Sequence, residues 1–209
     1  MVAGIKLNKL VAEFIGTFAL TFGVLASING FLNGVATPIV AGAVLFLAVL
    51  AIGITSGSHI NPAVTVALFS LKKIDVKEAT GYIVAQLLGG LAAFGAMNSL
   101  LAGDQTVVLE AKRAWDSNAA LAEAFGAAFF AFGIAAALNN KYKDVALAAL
   151  IGGALSLGIV FAAAAGSLGV LNPAVALGVG VFNWSYVVGP IVGAVVGANI
   201  YNYLIAQNR

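Results

Sequence analysis

Apolar residues along the chain are gathered into six long runs, separated by short polar segments. A helix needs roughly 20 apolar residues to cross a hydrocarbon core about 30 Å thick. All six runs are near this length, and they predict membrane-spanning helices near residues 8–28, 38–55, 78–101, 119–138, 145–165 and 184–206. The first run follows Lys6 and Lys9, as in a signal peptide. It is long and has no polar cleavage region, so we expect it to be retained as a span.

Two shorter apolar runs interrupt this pattern, and each begins with Asn-Pro-Ala. The residues concerned are Asn61, Pro62 and Ala63 in the first copy and Asn172, Pro173 and Ala174 in the second. About nine residues follow each asparagine, and nine helical residues rise roughly 14 Å, about half the core thickness. Asparagine is a good N-cap, and proline is favoured at the first helical position. A single copy is also compatible with an ordinary helix start in a loop, but two copies favour half-helices that begin inside the membrane.

The segments around the two motifs repeat as well. "AEFIGTF" at 12–18 recurs as "AEAFGAAF" at 122–129, so that Glu13 matches Glu123. Each glutamate precedes its asparagine by nearly the same interval, 48 residues in the first copy and 49 in the second.

Each half of the chain, about 8–101 and 119–206, therefore contains two spans, a half-helix and a third span. Three crossings are an odd number, so the second half inserts upside down relative to the first, as in several transport folds. The predicted fold class is an all-α membrane protein, one domain over residues 1–209, with six transmembrane helices and two re-entrant half-helices in an inverted repeat. The N-terminal ends of the half-helices would meet near the midplane, with Asn61 and Asn172 facing one spot.

Composition and charge agree with this topology. The chain is 62% hydrophobic and 9% charged, with a mean hydropathy of +1.05, which excludes a water-soluble domain. With six spans, the basic residues of one side are Lys6, Lys9, Lys72, Lys73, Lys77, Lys141, Lys143 and Arg209, and those of the other are Lys112 and Arg113. By the positive-inside rule we expect both termini to be cytoplasmic, in the cell (plasma or inner) membrane.

These motifs resemble those of the aquaporins, the major intrinsic protein family. The resemblance covers roughly residues 8–206 and is carried by "SGSHINPAVT", "LNPAV", the paired glutamates and "YIVAQLLGG" at 82–90. It implies a homotetramer in the lipid bilayer, in which each subunit has its own pore for water or small uncharged solutes.

The chain departs from the family pattern at the narrow filter of such pores. Most members have arginine after the second motif, whereas this chain has Val175. Counting back from the asparagines, the resemblance places Ala41, Gly169 and Val160 at the other filter positions. If the second loop is one residue shorter than the first, Phe161 would take the place of Val160.

Without arginine, the filter lacks the positive charge of a guanidinium group and the N–H donors that this group would supply. A wide apolar filter would pass glycerol-like solutes, ammonia or other small neutral molecules as well as water. An apolar ring could instead gate by dewetting and give poor water flow. The sequence leaves these alternatives open.

Other polar residues have structural as well as functional interpretations. His59 is either a satisfied buried histidine or a pore-facing group, and a proton sensor stays possible. We expect Glu13 and Glu123 to accept hydrogen bonds from the loop backbones rather than to relay protons, and Gln86 to do similar work. The four-residue spacing of Gly189, Gly193 and Gly197 predicts close helix packing.

Three function classes fit an inverted repeat: a passive channel, a coupled secondary transporter and a non-conducting scaffold. We favour the channel, because no ion-binding cluster accompanies the two glutamates. An enzyme is disfavoured, since one histidine and two symmetric carboxylates form no catalytic constellation. We expect no cofactor, no metal and no nucleic-acid partner.

Overall fold

The structure, a computed structural model, describes residues 6–31, 37–101, 109 and 114–206. Within this part of the chain, six helices are long and apolar enough to cross a membrane. They are α1 (Leu7–Ile28), α2 (Thr37–Ser56), α4 (Val76–Leu100), α5 (Ser117–Asn139), α6 (Asp144–Ala164) and α8 (Trp184–Ile200), and a π-helical turn, Tyr201–Ile205, continues α8. The all-α fold and the six predicted spans are confirmed. Arg209, Lys112 and Arg113 lie outside the described residues.

The two short helices begin where the Asn-Pro-Ala motifs predict. The first, α3 (Pro62–Ser70), has the nine residues expected, but α7 (Pro173–Gly178) has only six. Helix α7 ends early because Gly180 adopts a left-handed conformation with φ +88°. Val181 N–H then donates to Ala176 O at 2.9 Å. This left-handed C-terminal motif ends a helix, so the prediction of two equal half-helices was wrong.

Small residues let the helices approach closely. A Cβ at Gly189, Gly193 or Gly197 of α8 would collide with a backbone carbonyl of α5, at Ala120, Ala124 and Ala128 respectively. Helices α2 and α6 touch in the same way, because a Cβ at either Gly42 or Gly152 would lie 2.6 Å from the other's carbonyl oxygen. The predicted packing role of the four-spaced glycines on α8 agrees with these contacts.

The outward faces of the spanning helices stay apolar. Large side chains such as Leu100, Leu121 and Leu47 are 71%, 70% and 61% exposed. So many exposed apolar residues on one surface would be unfavourable in water, whereas lipid chains would cover them. The interior contacts thus hold the bundle together, and the exterior suits a bilayer.

Candidate functional site

The side chains of Asn61 and Asn172 cap the two short helices. Asn61 Oδ1 accepts from Ala63 N–H at 2.8 Å, and Asn172 Oδ1 accepts from Ala174 N–H at 3.0 Å and Val175 N–H at 3.3 Å. Both prolines lie in the first turn, where the missing N–H leaves no bond unmade. Because each Oδ1 faces its own helix, each Nδ2 points away from it.

Each of these amide nitrogens reaches the loop of the opposite half. Asn61 Nδ2 donates to Leu171 O at 3.0 Å, and Asn172 Nδ2 donates to Ile60 O at 2.9 Å. The N-terminal ends of α3 and α7 therefore meet, linked across the halves by two reciprocal hydrogen bonds. An amide nitrogen carries two hydrogens, so one N–H of each asparagine remains for a molecule beside it. The carbonyl oxygens of Ile60 and Leu171 each accept one of these bonds.

Glu13 organises the first loop from a fully buried position. Its Oε1 accepts from Ser56 Oγ at 2.6 Å and His59 N–H at 2.9 Å. Its Oε2 accepts from Ile60 N–H at 2.6 Å and Gln86 Nε2 at 2.7 Å. These four donors fill both oxygens of the carboxylate, and three of them, from Ser56, His59 and Ile60, belong to the first loop or the residue before it.

Glu123 organises the second loop with nearly the same contacts. Its Oε1 accepts from Ser167 Oγ at 2.8 Å and Val170 N–H at 2.9 Å, and its Oε2 accepts from Leu171 N–H at 2.6 Å. Gly169 N–H donates to Ser167 Oγ at 3.0 Å, just as Ser58 N–H donates to Ser56 Oγ at 3.0 Å.

These matched bonds align the two loops without a gap. Ser56 and Ser167 each lie five residues before their asparagine and make the same contacts. Gly57 therefore corresponds to Leu168, and the suggestion of a one-residue shorter second loop was wrong. The positions of glycine suggested a shorter second loop because Gly57 and Gly169 do not occupy equivalent positions in the two loops.

His59 joins the first loop to a polar cluster on α3 and α4. Its Nδ1 lies 3.2 Å from Thr65 Oγ1, and its ring packs edge-on against Tyr82. Thr65 Oγ1 donates its hydrogen to Asn61 O at 3.1 Å and accepts from Gln86 Nε2 at 2.9 Å. One hydroxyl group of Thr65 thus connects the His59 ring to the first loop and to α4. The equivalent residue in the second loop is Val170, so the two loops differ chemically here.

A cavity of about 260 Å³, called here the apolar cavity, lies beside the two asparagines. Three predicted filter residues, Ala41, Gly169 and Val175, line it together with Asn61 and Asn172. The rest of the wall includes aliphatic side chains of α1 and α6, namely Leu20, Val24, Ile28, Leu155, Ile159 and Ala163.

The remaining filter candidates, Val160 and Phe161, do not line the apolar cavity. Val160 is 45% exposed on the outer surface, and the Phe161 ring contacts Phe125 and Phe129 with centroids 6.1 and 4.8 Å away. Ile159 lines the cavity instead. One residue turns a helix by about 100°, so an error of one position exchanges the inner and outer faces. The four-residue spacing of the α6 lining residues was the signal that could have identified Ile159.

A second cavity of about 940 Å³, called here the lysine-lined cavity, lies on the other side of the asparagine pair. It is bordered by Lys9, Lys73 and Lys143. Three residues, Leu45, His59 and Phe130, line both cavities and mark where they meet. Neither Leu45 nor Phe130 could be predicted from the sequence, because one apolar residue in a wholly apolar helix carries no signal of its own.

Six spans, two short helices meeting end to end and a cavity on each side of the meeting point define an integral membrane protein of the channel type. The sequence model named "Major intrinsic protein" matches residues 3–201. The chain belongs to the major intrinsic protein family.

Individual relatives agree with this assignment. Nodulin-26 of Glycine max is 32% identical over 209 residues, which cover 94% of this chain and 77% of nodulin-26. Aquaporin AqpM of Methanothermobacter marburgensis is 32% identical over 247 residues, 96% of this chain and 98% of AqpM. The X-ray structure of the aquaglyceroporin from Plasmodium falciparum has a TM-score of 0.78 at 24% identity, covering 95% of this chain and 96% of that one. At that identity the likeness is one of fold.

Proposed function

We propose that this protein is a passive channel for water, small uncharged solutes or both. The observation that carries the proposal is the asparagine pair, held between the apolar and lysine-lined cavities by reciprocal hydrogen bonds. A molecule that leaves water loses hydrogen bonds, and a purely apolar wall could not replace them. The free N–H of each asparagine offers that replacement midway along the path.

The two short helices also oppose the passage of cations. Their N-terminal ends meet at the asparagines, and each end carries a partial positive charge from the helix dipole. Positive potential at this point disfavours cations and protons while leaving neutral molecules unaffected. We therefore assign the pore role to Asn61 and Asn172, with Ala41, Gly169 and Val175 as filter residues.

The filter composition bears on which solutes pass. Val175 is 3% exposed beside the second asparagine and has neither charge nor donor to offer. We propose that such a filter admits glycerol-like polyols or ammonia in addition to water. Closure by dewetting is the competing behaviour, and flux measurements separate the two.

The contacts of the buried glutamates disfavour a coupled transporter. Four donors surround the Glu13 carboxylate and three surround that of Glu123, which leaves little capacity for a coupling ion. A scaffold with a closed pore would show the same fold and no flux. We further propose a homotetramer in the bilayer of the cell membrane, with both termini in the cytoplasm.

Stopped-flow light scattering on proteoliposomes tests this function. The native chain should raise water or glycerol permeability above that of protein-free vesicles. Val175→Arg should lose glycerol flux by narrowing the filter, and Val175→Met, which adds length without charge, separates size from charge. If the native chain passes neither water nor glycerol, the scaffold interpretation replaces the channel.

A further inference from the structure

The apolar cavity has an uneven distribution of polar side chains. Among the described residues that line it, Thr37 is at the start of α2, where its Oγ1 pairs with Ser27 Oγ at 3.0 Å. The other polar side chains, His59, Asn61 and Asn172, lie at the end where the short helices meet. Between these two levels the described lining side chains are hydrocarbon.

Hydrogen-bond donors in this cavity are few. Each asparagine Nδ2 already gives one hydrogen to a loop carbonyl, so together the pair offers two hydrogens to a solute. A single carbonyl oxygen accepts two hydrogen bonds and would use both. The N–H groups of the lining segment 168–170 already donate to Tyr186, Ser167 and Glu123, so this segment adds no further donor to the cavity.

The aliphatic walls come from elements on different sides of the cavity. Leu20 and Val24 belong to α1, Ile159 to α6 and Val175 to α7. A solute with one polar end can direct that end to the asparagines and rest its apolar body against these walls. A solute that is polar on all sides must leave at least one group without a partner.

Resting on the channel proposed above, we propose that the apolar cavity selects neutral solutes that combine one polar end with an apolar body. Small amides of the acetamide type fit this description, and urea does not. The two molecules have the same number of non-hydrogen atoms and the same carbonyl, and they differ in that a methyl group of acetamide replaces an amino group of urea. A cavity of about 260 Å³ exceeds several-fold the roughly 30 Å³ of one water molecule in the liquid, so both molecules fit.

The lysine-lined cavity does not impose this selection. It is larger, about 940 Å³, and its border carries charged and hydroxyl groups, including Lys73, Glu78 and Ser56. A solute there keeps its water shell or exchanges it for polar side chains. Discrimination by polarity is therefore a property of the apolar cavity.

The test compares urea and acetamide permeability in proteoliposomes by stopped-flow light scattering, after subtraction of the flux through protein-free vesicles. The native chain should pass acetamide roughly tenfold faster than urea, the ratio expected when one polar group crosses without a partner. Water flux is recorded on the same vesicles, because it reports whether the channel is open at all.

Three threonine variants locate the selection. Val175→Thr and Ile159→Thr add a hydroxyl to the cavity wall and should lower the acetamide-to-urea ratio by about threefold, because a second polar group of the solute gains a partner. Val160→Thr makes the change on the exposed face of α6, one residue from Ile159, and should leave the ratio unchanged. Equal amounts of folded protein in each preparation are verified by circular dichroism and size-exclusion chromatography.

The outcomes separate this inference from the channel proposal. Urea flux equal to or faster than acetamide flux overturns the inference, as does an effect of Val160→Thr equal to that of Val175→Thr. Water or glycerol flux with no flux of either amide also overturns it but keeps the channel. If water, glycerol and both amides all cross no faster than in protein-free vesicles, the proposed function itself fails.

Discussion

At the scale of single residues, the buried glutamates compensate a strained backbone. Ser58, Ile60 and Leu171 adopt positive φ values of 52°, 40° and 56°, which non-glycine residues seldom do. The N–H groups of Ile60 and Leu171 donate to Glu13 and Glu123 at 2.6 Å. The loops thus hold an unfavourable conformation because the carboxylates satisfy backbone groups that would otherwise be buried and unpaired.

Glu123→Gln should therefore destabilise the folded protein. The amide replaces one accepting oxygen by an NH₂ group, which faces donors of the second loop and leaves at least one of them unpaired. We expect a loss of about 1–3 kcal/mol in the free energy of unfolding in detergent. The control is Glu78→Gln, since Glu78 pairs with Lys9 at 2.6 Å in a partly exposed site. That change should cost well under 1 kcal/mol; equal losses in the two variants would contradict the structural role of Glu123.

The sequence could predict a common role for residues that recur in both halves of the chain. It could not predict which side of a helix an isolated apolar residue occupies. Glu13 and Glu123 each appear in a repeated context, and their common function followed from the repetition. Ile159 and Val160 are adjacent apolar residues in α6, a helix that is apolar on nearly every face. Hydrophobic periodicity cannot orient such a helix, because lipid and the protein interior demand the same kind of side chain.

At the scale of helices, shape replaces the hydrophobic effect as the main source of packing specificity. The contact of α5 with α8 depends on three glycines that face backbone carbonyls directly, and α2 and α6 meet through Gly42 and Gly152. Lipid chains are as apolar as leucine, so close van der Waals contact must distinguish one helix neighbour from another.

Gly193→Ala tests this packing. Its Cβ would overlap the Ala124 carbonyl group, so α8 must shift away from α5, and we expect a loss of about 1–3 kcal/mol in unfolding free energy. Gly153→Ala is the matched control on α6, since a Cβ there would meet no atom within 4 Å. Thermal unfolding in detergent should give a lower midpoint for the first variant and an unchanged or higher one for the second. A neutral Gly193→Ala would show that the interface tolerates extra volume.

Helix ends were only partly predictable. The N-termini of α3 and α7 followed from the Asn-Pro pairs, whose capping chemistry is local. The early end of α7 depends on Gly180 in a left-handed turn, and glycine is too common in this chain, with 25 residues, to mark such an end by itself. The glycine that ends α7 is visible in the sequence, but it cannot be distinguished there from the glycines that serve helix packing.

At the scale of the whole molecule, the two cavities differ in chemistry and in position. The lysine-lined cavity borders Lys9, Lys73 and Lys143, whereas the apolar cavity reaches Ile28 and Thr37 at the opposite ends of α1 and α2. By the positive-inside rule we expect the lysine side to face the cytoplasm.

This orientation predicts the labelling of single cysteines, for which the natural absence of cysteine gives a clean background. Lys73 and Asn118 are both exposed, at opposite ends of the spanning helices. In intact cells, a membrane-impermeant maleimide should label Asn118→Cys, and it should label Lys73→Cys only after permeabilisation. The reverse pattern would place the lysine-lined cavity outside.

We propose that the path between the two halves runs through the apolar cavity past Val175. The most direct test measures water and glycerol flux of Val175→Cys in proteoliposomes before and after methyl methanethiosulfonate, a small neutral thiol reagent. Val160→Cys serves as the control on the outer face of α6. We predict that modification blocks flux in Val175→Cys and leaves both Val160→Cys and the native chain unaffected. Complete modification of Val175→Cys with unchanged flux, or equal inhibition of Val160→Cys, would contradict the account.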